Sequence, residues 1–214
     1  MKKIVLSAVA AFSAVFAAGQ ASATLINFVA ESTGNERGVA DGTILNTAAL
    51  GNINLRFSAG IGGIQRDFAY FNDGVIPGSS GLGTCTKLDA ANQCTPAYDA
   101  AVSSMEWVQV GFEDAPFAVK KLSFLGLNAA SLDNSSGLLK ITTSLNSIIS
   151  SVVLTFAQAA SKNFGFVDWI RFEFVDTEFT VASISNVPVP GALPLLLSGL
   201  AGLGFAASRR RKAA

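Results

Sequence analysis

The chain contains no histidine. That absence removes Ser-His-Asp and Cys-His nucleophile chemistry, together with metal centres built on imidazole. Charge is also scarce, at 14% of residues against 50% that are apolar. A composition so rich in apolar side chains is neither that of a disordered polar segment nor that of a nucleic-acid binder. No sequence unit recurs with the period of about 20 to 50 residues that marks propellers and solenoids. No convincing amphipathic helix joins the apolar runs, and no EF-hand spacing or Gly/Asp nonapeptide repeat is present. What remains is a 214-residue chain. Single cores rarely grow past about 250 to 300 residues, so one domain with appendages is predicted.

The formal net charge of +0 averages three unlike segments. Lys2 and Lys3 open the chain, and Arg209, Arg210, Arg211 and Lys212 nearly close it. Between Thr24 and Val187, nine Lys and Arg stand against fifteen Asp and Glu, a net of −6. An acidic body of this kind is soluble and repels polyanions.

Residues 1–23 have the three parts of a secretory signal peptide: the basic start, an apolar run from Ile4 to Ala18, and small residues at Ala21-Ser22-Ala23. The apolar run is short for a membrane span and no basic stop-transfer group follows it. Cleavage after Ala23 makes Thr24 the predicted first residue of an exported chain. Export changes the meaning of Cys85 and Cys94, because an even pair in an oxidising compartment is usually a disulfide. No Cys-x-x-Cys spacing or neighbouring basic cluster is present to lower a thiol pKa, so a reactive pair is disfavoured. The bridge is predicted to staple a loop beside the turn-rich segment Pro77 to Thr84.

The middle of the chain reads as strands. From Phe164 to Val175 apolar residues alternate, with Phe164, Phe166, Ile170, Phe172 and Phe174 on one face and Val167, Trp169, Arg171, Glu173 and Val175 on the other. Eight shorter β-rich runs cover Leu25 to Val29, Ile53 to Ser58, Asp67 to Phe71, Met105 to Phe112, Val119 to Leu127, Leu138 to Thr143, Val152 to Phe156 and Phe179 to Ile184. Turn residues such as Asn72-Asp73-Gly74 separate them. Only Ala90 to Met105 and Gln158 to Ser161 are Ala-rich enough to suggest helical turns. The predicted fold class is all-β: an antiparallel β-sandwich over 24–186, jelly-roll or immunoglobulin-like, whose phenylalanines, thirteen of the chain's sixteen, fill the space between facing sheets.

The C-terminal segment has a proline motif at Val187-Pro188-Val189-Pro190, an apolar stretch from Leu195 to Phe205, and the basic cluster Arg209, Arg210, Arg211 and Lys212. Gly191 to Ser208 would span about 27 Å as a helix, just under the ~30 Å of a bilayer core. The basic cluster then acts as a stop on the cytoplasmic side. This ending resembles the PEP-CTERM sorting signal, and more closely the variant whose motif reads approximately Val-Pro-Leu-Pro-Ala. Here Val189 stands where the variant has Leu, Gly191 where it has Ala, and no Glu lies between the prolines. The resemblance covers residues 187–212. It implies that a membrane-embedded exosortase-like enzyme of a Gram-negative bacterium recognises the motif and removes the helix. The inner membrane is then a transient stop on the way to the cell surface or extracellular matrix. It also implies a structural or adhesive role linked to exopolysaccharide or biofilm.

The body offers few residues for chemistry. Asp89, Asp99, Glu106, Glu113 and Asp114 are the candidates for Ca²⁺ ligation, with solvated surface acids as the alternative reading. No other cofactor is expected. A glycosidase needs two carboxylates flanking a sugar, which abundance alone does not mark, so a secreted hydrolase ranks last and the chain is read as not an enzyme. Trp107, Trp169, Tyr70 and Tyr98 are candidate platforms for sugar rings in a carbohydrate-binding module, weighed against packing inside apolar strands. Asn134-Ser135-Ser136 fits a glycosylation acceptor that bacteria seldom use.

Overall fold

The computed structural model describes residues 23–74, 80–97 and 99–186. Signal residue Ala21, the proline motif Val187 to Pro190, the basic cluster and Tyr98 lie outside the described residues. In chain order the elements are β1 (Leu25–Asn27), α1 (Phe28–Ser32), β2 (Arg37–Val39), β3 (Ile44–Leu45), β4 (Leu55–Ile61), β5 (Ile64–Asn72), β6 (Gly81–Cys85) and β7 (Glu106–Phe112). They continue with β8 (Phe117–Val119), β9 (Lys121–Leu125), β10 (Leu138–Leu145), β11 (Ile148–Thr155), α2 (Phe156–Ser161), β12 (Gly165–Val167), β13 (Trp169–Phe174) and β14 (Thr180–Ser185).

The class is all-β and antiparallel, as the alternation predicts. Twelve strands hydrogen-bond as one open, curled sheet whose main path runs β1-β14-β6-β5-β4-β7-β13-β10-β11, and β8 pairs with β12 beside it. Curling brings distant parts of that path together. Phe124 on β9, which pairs with β14, has its ring 5.9 Å from Phe172 on β13, and it also touches Phe156 at 5.2 Å and Phe179 at 5.9 Å. A second aromatic group, Phe28, Phe57 and Phe71, fills the space beneath β4 and β5. Phenylalanines thus form two linked groups within an otherwise aliphatic core, mostly in edge-to-face contact, a geometry that adds about 0.5 to 1.5 kcal/mol per pair beyond the apolar area it buries.

Four expectations need correction. The run from Leu25 is strand only to Asn27, where the Asn27 side chain accepts the Ala30 N–H at 3.0 Å and starts α1. The long Phe164 to Val175 run divides at Asp168 into β12 and β13, and the buried parity reverses there, so Phe166 is exposed and Val167 buried. Gly81 to Thr84 is not a turn but most of strand β6. Glycine is needed there: a Cβ on Gly83 would come within 2.3 Å of the Ala100 carbonyl oxygen, and Gly81 has a φ of +119°. Residues Ala90 to Met105 form no helix over their described part, whereas α2 covers the helical turn expected at Gln158 to Ser161.

The described body begins and ends at one place. The Thr24 N–H donates to Asn186 Oδ1 at 2.6 Å, and the Asn186 N–H donates to the Thr24 carbonyl at 3.1 Å.

Candidate functional site

Strand pairing alone assembles a polar aromatic face. Side chains directly opposite on antiparallel strands share a face. One row reads Ser58, Gln109, Arg171, Thr142, Ser151 across β4, β7, β13, β10 and β11. The next reads Gly60, Trp107, Glu173, Lys140, Val153, and the third Arg56, Gly111, Trp169, Ser144, Ile149. The alternate residues Phe57, Val108, Val110, Ile170, Phe172, Leu139 and Ile141 turn the other way, into the phenylalanine core. Both tryptophans thus stand on the face opposite the core.

Arg171 is the centre of this face. Its guanidinium carbon lies 3.9 Å from the Trp107 ring centroid and 5.6 Å from that of Trp169. Its Nε and Nη2 both donate to Gln109 Oε1, at 3.0 and 2.8 Å. Burial between these groups holds the guanidinium below its ordinary pKa, and Glu173 opposes that shift. Trp107 is only 3% exposed, beneath Arg171 on its ring, and its indole N–H has no hydrogen-bond partner among the described residues. Trp169 remains half-buried.

Beside the arginine runs a hydrogen-bonded chain. Lys140 Nζ donates to Glu173 Oε2 at 3.0 Å, Thr142 Oγ1 donates to Glu173 Oε1 at 2.9 Å, and Ser151 Oγ lies 2.9 Å from Thr142 Oγ1. These side chains border an open cleft of about 520 Å³, closed at one end by the β4–β5 turn at Gly62 and Gly63 and by Met105. Met105 has a φ of 68° and accepts the Gly62 N–H at 2.8 Å through its carbonyl, which fixes that rim. The cleft offers ammonium, guanidinium, carboxylate and hydroxyl groups within one open surface, a mixture suited to polyhydroxy ligands.

The candidate calcium ligands are not brought together. Asp89 Oδ1 accepts the Ala91 and Gln93 N–H groups, and Asp99 Oδ2 accepts from Thr86. Glu113 forms a two-point pair with Arg56 at 2.7 Å, and Asp114 accepts from the Asn54 backbone and side chain. Glu106 is turned to Ser103. Each carboxylate completes a local hydrogen-bond set. Among the described residues the one metal-like cluster is Cys85, Cys94 and Asp99, whose two sulfurs are joined to each other. Glu106 and Glu173 both border the cleft, yet Glu106 neighbours Trp107 along β7 and so points to the opposite face.

Cys85 and Cys94 form the predicted disulfide, with Cα atoms 5.8 Å apart. The bridge is buried beside Tyr70, whose hydroxyl donates to Glu36 at 2.9 Å and accepts the Cys94 N–H at 3.1 Å. Tyr70 is therefore a packing residue and not a sugar platform. The residues that sequence reasoning did not single out are Gln109, Lys140, Thr142, Ser151, Glu173 and the joining Arg171. The signal for Arg171 and Glu173 was present in the Trp169, Arg171, Glu173 alternation; the others depend on strand order.

Fold and site together define an all-β, disulfide-stapled body with a polar aromatic face on one side of its sheet. No protein-family model, curated protein or solved structure matches the chain.

Proposed function

We propose that the protein is exported, held briefly in the inner membrane by its tail, trimmed by an exosortase-like enzyme, and released to the surface or matrix of a Gram-negative bacterium. There it acts structurally or adhesively within exopolysaccharide. The observation carrying this reading is the combined ending of proline motif, apolar stretch and basic cluster over residues 187–212. Two structural features support it. The Cys85–Cys94 bridge suits an oxidising compartment. The Thr24–Asn186 pairing sets the first and last residues of the described sheet side by side, an arrangement compatible with trimming of extensions beyond both ends. We read the curled sheet as a sandwich of the jelly-roll or immunoglobulin-like kind, which the Phe124–Phe172 contact supports.

Intact mass of the protein from cells and from medium tests the sorting. The expected species begins at Thr24, ends near Pro190 and is two hydrogens short for the disulfide. A mass that still reaches Ala214 in the inner-membrane fraction rejects it.

A second reading, a carbohydrate-binding module, is favoured by the cleft and its Trp169–Arg171 neighbourhood. Affinity electrophoresis in the producing cell's own exopolysaccharide distinguishes it. Trp169→Ala should weaken retention about tenfold, the ~1.4 kcal/mol scale of one lost aromatic contact. Unchanged retention removes the module reading and leaves the sorting proposal standing.

A further inference from the structure

Among the described residues β11 ends the hydrogen-bonded path of the sheet, with β10 as its one strand partner. It is long for an edge, 8 residues, and exposes Ile148 at 75%, Ile149 at 64% and Val153 at 52%. Folded proteins usually blunt such an edge with Lys, Pro or a bulge. None is present: the 21 residues from Ile141 to Ser161 include no charged residue, no proline and no glycine. β10 and β11 also pair without a register break over all eight positions.

We infer that β11 is the contact surface for a second copy of this chain, the two β11 strands pairing antiparallel about a two-fold axis at Ser151. The turn at Asn146-Ser147, φ 51° and 66°, closes the Leu145–Ile148 pair, so the backbone groups of Ile149, Ser151 and Val153 point away from β10. A two-fold at Ser151 sets those same residues against each other: Ser151 faces Ser151 and Ile149 faces Val153. The outward N–H and C=O groups are all satisfied, and apolar side chains meet apolar side chains. Charge selects the place as well as the partner. Each body carries −6 between Thr24 and Val187, and two like-charged copies approach best through a surface without carboxylates. The other strand ends of the sheet cannot receive β11 head to tail: β1 and β2 have 3 residues and β3 has 2, and the backbone of β9 at Phe124 is already taken by Asp133 and Leu132. The contact is therefore isologous and closes at two copies.

Sedimentation velocity on the full chain in mild detergent, over a concentration series, tests this. The weight-average mass should rise toward twice the monomer's. Val153→Lys, which sets a charge against the partner's Ile149, should hold the chain at monomer mass with an unchanged β-sheet spectrum. Ser151→Cys should give a disulfide-linked dimer under mild oxidation, and Ser150→Cys should not, because only position 151 meets itself. A monomer at every concentration, assembly that survives Val153→Lys, equal cross-linking at both positions, or species growing beyond two copies each overturn the inference. A β11 edge used by a different protein would show as the first of these.

Discussion

Glu106 sits at the start of β7 with 3% of its surface exposed and accepts the Ser103 N–H at 2.7 Å and the Ser103 hydroxyl at 2.9 Å. Burial raises its pKa above the ordinary 4.5, and the Ser103 donors only partly oppose the rise. A folded-state pKa above the unfolded one means that the folded chain holds the proton longer. The stability this contributes is complete below the unfolded value and is lost as pH rises through the folded one. Glu106→Gln cannot ionise, so its stability relative to wild type should improve as pH rises through that window. Thermal melts from acid to neutral pH check this, and a wild-type-to-variant difference that does not change with pH contradicts it. At this scale the sequence shows which residue types are present, and the strand alternation marks the face of Trp169, Arg171 and Glu173. It does not show that Asp168 reverses the parity. Asp168 accepts the Asn146 N–H at 2.6 Å through its carboxylate, and its own N–H donates to the Ser144 carbonyl at 2.6 Å. Those partners are remote in sequence, so no local pattern announces the break.

Element boundaries follow from caps more than from apolar runs. Thr155 ends β11 and begins α2 with a reciprocal box: its hydroxyl accepts the Gln158 N–H at 3.1 Å, and Gln158 Oε1 accepts the Thr155 N–H at 3.0 Å. The helix is only 6 residues long, too short to persist on propensity, but it carries Phe156 and Ala159 into the core. Thr155→Ala should therefore cost about 1 kcal/mol in whole-chain stability. Urea unfolding would show this as a lower midpoint at unchanged slope, whereas an unchanged midpoint would mean that packing alone fixes α2. The strands that were legible are those with several alternating residues, such as β4, β7, β10 and β13. β2 and β3 have 3 and 2 residues, below the length at which a period can be seen. The Asn146-Ser147 turn was illegible for another reason: it takes positive φ at both positions without glycine.

For the whole molecule, the disulfide and the sheet divide the labour of holding the fold. The Cys85–Cys94 loop is docked by bonds that do not need the bridge: the Gly38 N–H to the Asn92 carbonyl at 3.0 Å, Asn92 Nδ2 to the Gly38 carbonyl at 2.9 Å, and Gln93 Nε2 to the Glu36 carbonyl at 2.7 Å. The native loop should therefore keep its place when the sulfurs are replaced. What the bridge alone supplies is restriction of the unfolded chain, about 2 to 3 kcal/mol for a loop of this size. The double variant Cys85→Ser, Cys94→Ser should then lose about 2 to 3 kcal/mol of unfolding free energy, read as a lower denaturant midpoint, while its β-sheet spectrum stays the same. Its Trp169-dependent retention in exopolysaccharide, if wild type shows it, should also be unaffected, because β6 takes no part in the cleft formed across β7, β13, β10 and β11. A variant that lost the native spectrum instead would show that the bridge, and not the Tyr70, Glu36 and Gln93 contacts, organises this end of the sheet.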